Sequence, residues 1–209
     1  MIAILGAGKM GEALLSGMLR AGVAPSGVIA AVRRPDRAQA LADAYGIEAT
    51  TAAEAAGKAD TLVITVKPQD MAALLDEIAP QVRGDQLVIS VAAGITTRYI
   101  ESRLTADAAV VRVMSNTPVL VDEAMSLISA GRHAGERHLC LAEELLRPVG
   151  KVLRIPESQQ DAATEITSCP ARTRGAISSS SAAMSCGLTV MTSVSALPAA
   201  SAAVVASMP

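Results

Sequence analysis

From residue 1 to about 165 the chain alternates short runs of consecutive apolar residues with longer segments whose apolar positions recur at helical spacing. The apolar runs are Ile2–Leu5, Val28–Val32, Thr61–Val66, Gln86–Val91, Val110–Met114, Met125–Ile128 and Val152–Ile155. They read as strands. Successive rather than alternate residues are apolar, so both faces of each strand are expected to be covered. Between them, Gly11–Ala21, Asp36–Tyr45, Asp70–Pro80 and Gly135–Leu146 read as helices. This alternation predicts an α/β fold: a Rossmann-like, doubly wound, mostly parallel sheet with helices on both faces. The pattern stops after Ile166. Residues 175–209 contain no Asp, Glu, Lys, Arg or His, Ser and Ala dominate, and neither period persists, which predicts a low-complexity, poorly ordered tail. The expected organisation is a nucleotide-binding domain over 1–156, a linker or the start of a second domain over 157–171, and a divergent Ser/Ala-rich tail over 172–209.

Composition narrows the picture. Half the chain is apolar (51%), yet Phe and Trp are absent and the aromatic residues are Tyr45 and Tyr99, so the core must be built from Ala, Val, Leu, Ile and Met. A net charge of −2 without a basic block argues against nucleic acid as a partner. Cys140, Cys169 and Cys186 are widely spaced and form no C-x-x-C pair, which predicts a reduced, cytoplasmic protein without a disulfide framework or zinc site. Cys140 falls on the apolar face of its predicted helix and reads as a core residue. His133 and His138 have no Cys or His partner at ligand spacing, so no metal is expected. The apolar N-terminus is interrupted by Lys9, Glu12 and Arg20, against a secretion signal. Residues 182–208 lack charge, but their Ser and Thr content and Pro198 argue against a membrane span.

The chemistry begins at the first turn. Gly6-Ala7-Gly8-Lys9-Met10-Gly11 joins the first strand to the first helix, and G-x-G-x-x-G in that context is a dinucleotide cradle. Its glycines serve a tight turn, close backbone approach to a pyrophosphate, and close packing of helix on strand. The free N–H groups at the helix start then hold the anion. The second strand ends in Arg33-Arg34 with no carboxylate before Asp36. A guanidinium there favours the 2′-phosphate of NADP over the ribose hydroxyl of NAD; the alternative is that both arginines merely solvate a helix start. Three further strand ends, Val66-Lys67-Pro68, Ala92-Ala93-Gly94 and Asn116-Thr117-Pro118, should meet at the same edge of the sheet, where ligands bind in such folds. Lys67 either holds a substrate carboxylate or cofactor hydroxyl, or extends into water.

These segments carry a resemblance. Gly6-Ala-Gly-Lys-Met-Gly, Val66-Lys-Pro-Gln, Ser90-Val-Ala-Ala-Gly-Ile-Thr, Arg112-Val-Met-Ser-Asn-Thr-Pro and Val149-Gly-Lys occur in an order that resembles the pyrroline-5-carboxylate reductase family over about residues 1–166. Ser115 stands where that family carries Pro or Thr. The resemblance implies hydride transfer from NADPH, with NADH as the alternative, to the C=N carbon of 1-pyrroline-5-carboxylate, giving L-proline. It implies that Gly6–Gly11 cradle the pyrophosphate and that Arg33 or Arg34 takes the 2′-phosphate. Val66, Lys67 and Pro68 would line the cofactor cleft, while Ala92, Ala93, Gly94, Asn116, Thr117 and Pro118 would border the nicotinamide and imine. The family is homo-oligomeric through a following helical domain. Here Thr167-Ser168-Cys169-Pro170-Ala171 stands where its Ser-Gly-Ser-Gly-Pro-Ala segment is expected, and the shift of composition inside one motif predicts a change of reading frame near 167–172. On that reading the dimer surface is missing and this chain's own activity is weak or absent. The alternatives are a catalytically inactive NADP-binding module and another reductase of the superfamily, such as an F420-dependent NADP reductase.

Overall fold

The computed structural model describes residues 1–116, 119 and 122–160. Eight strands form one sheet: β1 (Ile2–Leu5), β2 (Val28–Ala31), β3 (Glu48–Thr50), β4 (Thr61–Ile64), β5 (Leu87–Ser90), β6 (Ala109–Ser115), β7 (Ala124–Ala130) and β8 (Gly150–Arg154), in the order β3-β2-β1-β4-β5-β6-β7-β8. Strands β1 to β6 run parallel to one another. β7 is antiparallel to β6, and β8 is parallel to β7. The reversal follows from chain length, because residues 116–123 are too few for a parallel crossover.

Apolar runs on both sides of each strand become two cores. Ile4, Val63, Ile89 and Val111 point to one face and pack with Leu14, Leu15 and Met18 of α1 (Lys9–Arg20), Leu41 of α2 (Pro35–Tyr45) and Leu146 of the last helix. Their neighbours Leu5, Leu62, Ile64, Val88 and Val110 point to the other face. There they meet Ala55 and Ala56 of α3 (Ala52–Lys58), Leu75 and Ile78 of α4 (Met71–Ile78), and Ile100 of α5 (Thr97–Glu101). The sheet is therefore doubly wound, as its unbroken apolar strands require.

Three elements lie outside the sequence expectation. β3 is a three-residue strand at the edge of the sheet, paired to β2 alone and lacking an apolar run. α3 starts at Thr51, whose hydroxyl accepts from the Glu54 amide. α5 is a five-residue helix capped in the same way by Thr96 on Tyr99 N–H.

The final helix, α6 (Glu136–Leu146), corrects the placement of Cys140. Its thiol is exposed and lies 3.3 Å from Arg154 on β8, not in the core. The apolar positions of α6 turn inward at Ala142 and Leu146 instead. Arg154 also pairs with Glu136 and Glu143. Those hydrogen bonds hold both carboxyls below the usual carboxylate range and raise the arginine.

A polar inset interrupts the expected apolar strand at β6. Arg112 is 1% exposed and its Nη1 lies 3.5 Å from a carboxylate oxygen of Glu157. Glu157 also accepts from Thr97 N–H at 2.7 Å and from its hydroxyl at 2.6 Å, which ties residue 157 to the start of α5. Buried Gln160 donates to the carbonyls of Arg112 and Leu127, both at 3.1 Å. Residues 157–160, read from the sequence as the start of a linker, are thus bonded to the sheet. The 161–171 segment, the 172–209 tail, Cys169 and Cys186 lie outside the described residues, as do Thr117 and Pro118.

Candidate functional site

In a doubly wound sheet the ligand crevice lies beyond the carboxyl ends of the strands where the chain order reverses. Here that point falls at β1, which has β2 on one side and β4 on the other. The glycine turn leaves β1 at this point. Gly6 has φ +90°, and a Cβ there would sit 2.4 Å from Val66 Cγ1, so both its conformation and its contact with the β4 end demand glycine. At Gly11 a Cβ would meet Thr65 Oγ1 at 2.5 Å and Ile4 at 3.3 Å, which is the close packing of α1 on the strands. Gly8 differs. A Cβ there would meet only the Gly6 carbonyl at 4.0 Å, so no protein atom excludes a side chain. The room at Gly8 fits a bound group that itself requires close backbone approach, as a pyrophosphate does.

The turn is braced from two sides that the sequence did not single out. Thr65 donates its hydroxyl to the Gly6 carbonyl at 2.8 Å and its amide to the Leu5 carbonyl at 2.9 Å. Arg37, near the start of α2, reaches back to the Ala7 carbonyl and pairs with Glu12 in the first turn of α1. Tyr45 O–H also donates to Glu12, at 3.3 Å. Burial, then the adjacent carboxylate, raises that phenol. The Arg37 partnership matters because an uncompensated carboxylate in the first turn would repel a bound anion and compete with it for the positive end of α1. The only advance signal was the basic count after β2. The i,i+25 separation of Glu12 and Arg37 makes their pairing invisible to local pattern.

Two adjoining hollows share Gly6, Val32, Arg33 and Val66. One, of about 400 Å³, runs between Ala31–Pro35, Ala49–Ala52 and α4, with walls of Ala38, Ala73 and Leu74. The other, of about 510 Å³, holds Ala7, Gly8, Arg34, Arg37, Lys67 and Asp70. Together they form a cleft, one half walled mostly by small residues with Arg33 and Glu77 at its edge, the other crowded with charged side chains. Arg33 pairs with Asp70 at 2.8 Å, and Arg34 pairs with Asp36. The Arg34 hydrogen bond holds the Asp36 carboxyl below its ordinary range.

Of the residues singled out from the sequence, Gly6, Ala7, Gly8, Arg33, Arg34, Val66 and Lys67 meet around this cleft. Lys9 instead lines a separate hollow of about 210 Å³ with Glu12, Ser16, Tyr45 and Val119. Met10, Gly11 and Pro68 line none of the three. Ala92 is 3% exposed and packs into the core, while Ala93 and Gly94 are exposed next to it. The Asn116 side chain accepts from Met125 N–H at 2.9 Å, which ties the end of β6 to β7. None of these four borders the cleft. Among the described residues no group of three or more His, Cys, Asp or Glu is placed to hold a metal ion. His138 accepts from Gly135 N–H at the start of α6, and His133 lies 3.5 Å from Asp107.

Comparison with known proteins places this architecture. Residues 1–94 match a family model described as NADP oxidoreductase, coenzyme F420-dependent. Over 172 residues the chain is 40% identical to a pyrroline-5-carboxylate reductase of Mycobacterium tuberculosis, covering 79% of this chain and 58% of that protein. Over this stretch the chain is similar to the pyrroline-5-carboxylate reductase family. The family's Corynebacterium melassecola member is 39% identical over 170 residues, covering 79% of this chain and 63% of the relative. Among solved structures, the reductase of Coxiella burnetii superposes with a TM-score of 0.74 at 28% identity, covering 79% of this chain and 63% of that one. The Plasmodium falciparum enzyme, solved with NADP bound, shares the fold with a TM-score of 0.70 at 24% identity over 80% of this chain and 62% of its own. The chain thus spans 58% of the length of the mycobacterial relative and under two thirds of the others.

Proposed function

We propose that this chain binds NADPH in the cleft at the end of β1 and carries the reductase chemistry of that family, conversion of 1-pyrroline-5-carboxylate to L-proline. The observation that carries this reading is the match of residues 1–94, which hold the glycine cradle, the arginine edge and the Val66-Lys67 strand end, to an NADP oxidoreductase family model, with 40% identity to a reductase over 172 residues beside it. The residues present fit the cofactor. Gly8 leaves the room a pyrophosphate needs, the first amides of α1 have no carbonyl behind them within the helix, and Arg33 and Arg34 stand at the end of β2 where a 2′-phosphate would lie. The small-residue half of the cleft suits an adenosine. When bound, the reduced nicotinamide supplies a hydride for the imine carbon.

The chain's own contribution is position and charge. The α1 amides hold the anion, the Thr65 and Arg37 braces fix the turn, and Lys67 stands exposed at the end of β4, where an ammonium can meet a carboxylate or a ribose hydroxyl. The Asn116 side chain, by accepting from Met125 N–H, fixes the end of β6 against β7. A cytoplasmic setting, a small-molecule partner and the absence of a nucleic-acid partner belong to the same proposal. They are supported by the net charge of −2 and the unclustered cysteines. Among the described residues no helix is long and apolar enough to cross a membrane.

A second reading, an NADP-binding module without turnover, is favoured by the change of composition after Ile166. The two separate cleanly. Purified chain is titrated with NADPH, followed by nicotinamide fluorescence, and then given 1-pyrroline-5-carboxylate. Binding with loss of nicotinamide absorbance and formation of proline supports the reductase, binding without turnover supports the module, and no binding refutes both.

A further inference from the structure

Each arginine in the 33–37 segment faces a carboxylate: Arg33 with Asp70, Arg34 with Asp36 and Arg37 with Glu12. The three pairs differ in placement. Arg34 and Asp36 are two residues apart at the start of α2. Arg37 and Glu12 brace the glycine turn. Arg33 and Asp70 join opposite walls. Arg33 follows β2, Asp70 follows β4, and β1 with its glycine turn lies between those strands. Both residues line the charged half of the cleft, and Arg33 also lines the small-residue half. The ion pair therefore crosses the cleft where its halves meet.

A guanidinium presents the same fork to a carboxylate and to a phosphate, so a single arginine edge can be occupied by either. A phosphate monoester carries more than one negative charge near neutral pH. The Arg33 and Asp70 side chains are 72% and 35% exposed, so their pair is weak and exchangeable. We propose that Asp70 is a specificity-determining residue: it holds Arg33 as a stand-in anion until a 2′-phosphate replaces it. Asp70 thereby sets how strongly the cleft prefers a phosphorylated dinucleotide. The proposal rests on the NADP reading of the cleft. With a 2′-hydroxyl nothing displaces the carboxylate, so its presence opposes the phosphorylated nucleotide selectively.

The test is calorimetric titration of the full chain with 2′,5′-ADP and with 5′-AMP, for the wild type, Asp70→Asn and Arg33→Ala. Asp70 precedes α4 and its side chain makes no capping hydrogen bond there, so the substitution removes charge rather than structure. Asp70→Ser is a second variant with the same property, should the first fold poorly. The wild type should prefer 2′,5′-ADP, Arg33→Ala should lose most of that preference, and either Asp70 variant should raise it about three- to fivefold. A wild-type preference that the Asp70 variants leave unchanged or reduce overturns the proposal while the NADP reading stands. A wild type that binds neither nucleotide, or binds them equally, overturns both.

Discussion

Alanine at Gly6 and alanine at Gly8 should fail in opposite ways, although the two glycines belong to one motif. At Gly6 the backbone has φ +90°, a region that costs an L-residue about 1–2 kcal/mol. The new Cβ would also stand 2.4 Å from Val66 Cγ1 and 3.1 Å from the Val66 amide nitrogen. Overpacking of that kind adds about 1–3 kcal/mol, so Gly6→Ala should destabilise the fold by about 2–5 kcal/mol. Set against a typical domain stability of about 5–15 kcal/mol, that is a large loss. At Gly8 the backbone is extended, with φ −75° and ψ −162°, and the nearest atom to a Cβ is a carbonyl 4.0 Å away. Losing glycine at a helix N-cap costs at most about 1 kcal/mol. The methyl would, however, occupy the room the pyrophosphate needs, and affinity for NADPH should fall at least about tenfold, or about 1.4 kcal/mol. Equilibrium unfolding in urea, followed by circular dichroism, measures the first effect, and a nicotinamide fluorescence titration measures the second. The reasoning is refuted if Gly8→Ala unfolds as easily as Gly6→Ala, or binds NADPH as tightly as the wild type.

Removing the carboxylate of Glu157 would deprive buried Arg112 of an ion-pair partner and α5 of its capping oxygens, so Glu157→Ala should cost about 2–4 kcal/mol in a urea titration. Thr65→Val keeps the shape but loses the hydroxyl bond to the Gly6 carbonyl, and should lower stability by about 1 kcal/mol. It should also weaken NADPH binding, which fluorescence titration would read. Arg154 hydrogen bonds hold Glu136 and Glu143 low in the folded chain, so their stabilisation is present above the ordinary glutamate pKa of about 4.3 and is lost as pH falls through the lowered folded values. The wild-type Tm should therefore fall more steeply below about pH 4.5 than that of Arg154→Met; parallel curves from calorimetry would contradict this.

The sheet was legible because buried parallel strands must be apolar on both faces, so Val28-Ile-Ala-Ala and Leu87-Val-Ile-Ser stand out without help. β3 was hidden because an edge strand of three residues, one of them exposed Glu48, has no apolar run to show. α3 was more accessible than the reading allowed: Thr51-Ala-Ala-Glu54 is a capping-box pattern, and its threonine does cap the helix. Cys140 misled because one apolar residue in an amphipathic helix fixes no face, and the pull of Arg154 on Glu136 and Glu143 lay a strand away in sequence. In the site, the glycine turn and the arginine edge were readable as local motifs. The pairing of Arg33 with Asp70 and of Arg37 with Glu12, and the Thr65 brace, were not, since each bond joins residues brought together only by the winding of β1, β2 and β4. Ala92 and Asn116, expected at the cleft from their strand ends, are packed in the core and bonded to Met125 N–H respectively.

The central claim is that NADPH lies across the end of β1, and amide chemical-shift mapping of the isotope-labelled chain tests it most directly. On addition of NADP, the shifts should concentrate at residues 7–11, 33–37 and 66–67, with the amides of Gly8 and Lys9 among the largest. Shifts confined to other surfaces, or an unchanged spectrum at saturating nucleotide, would contradict the account.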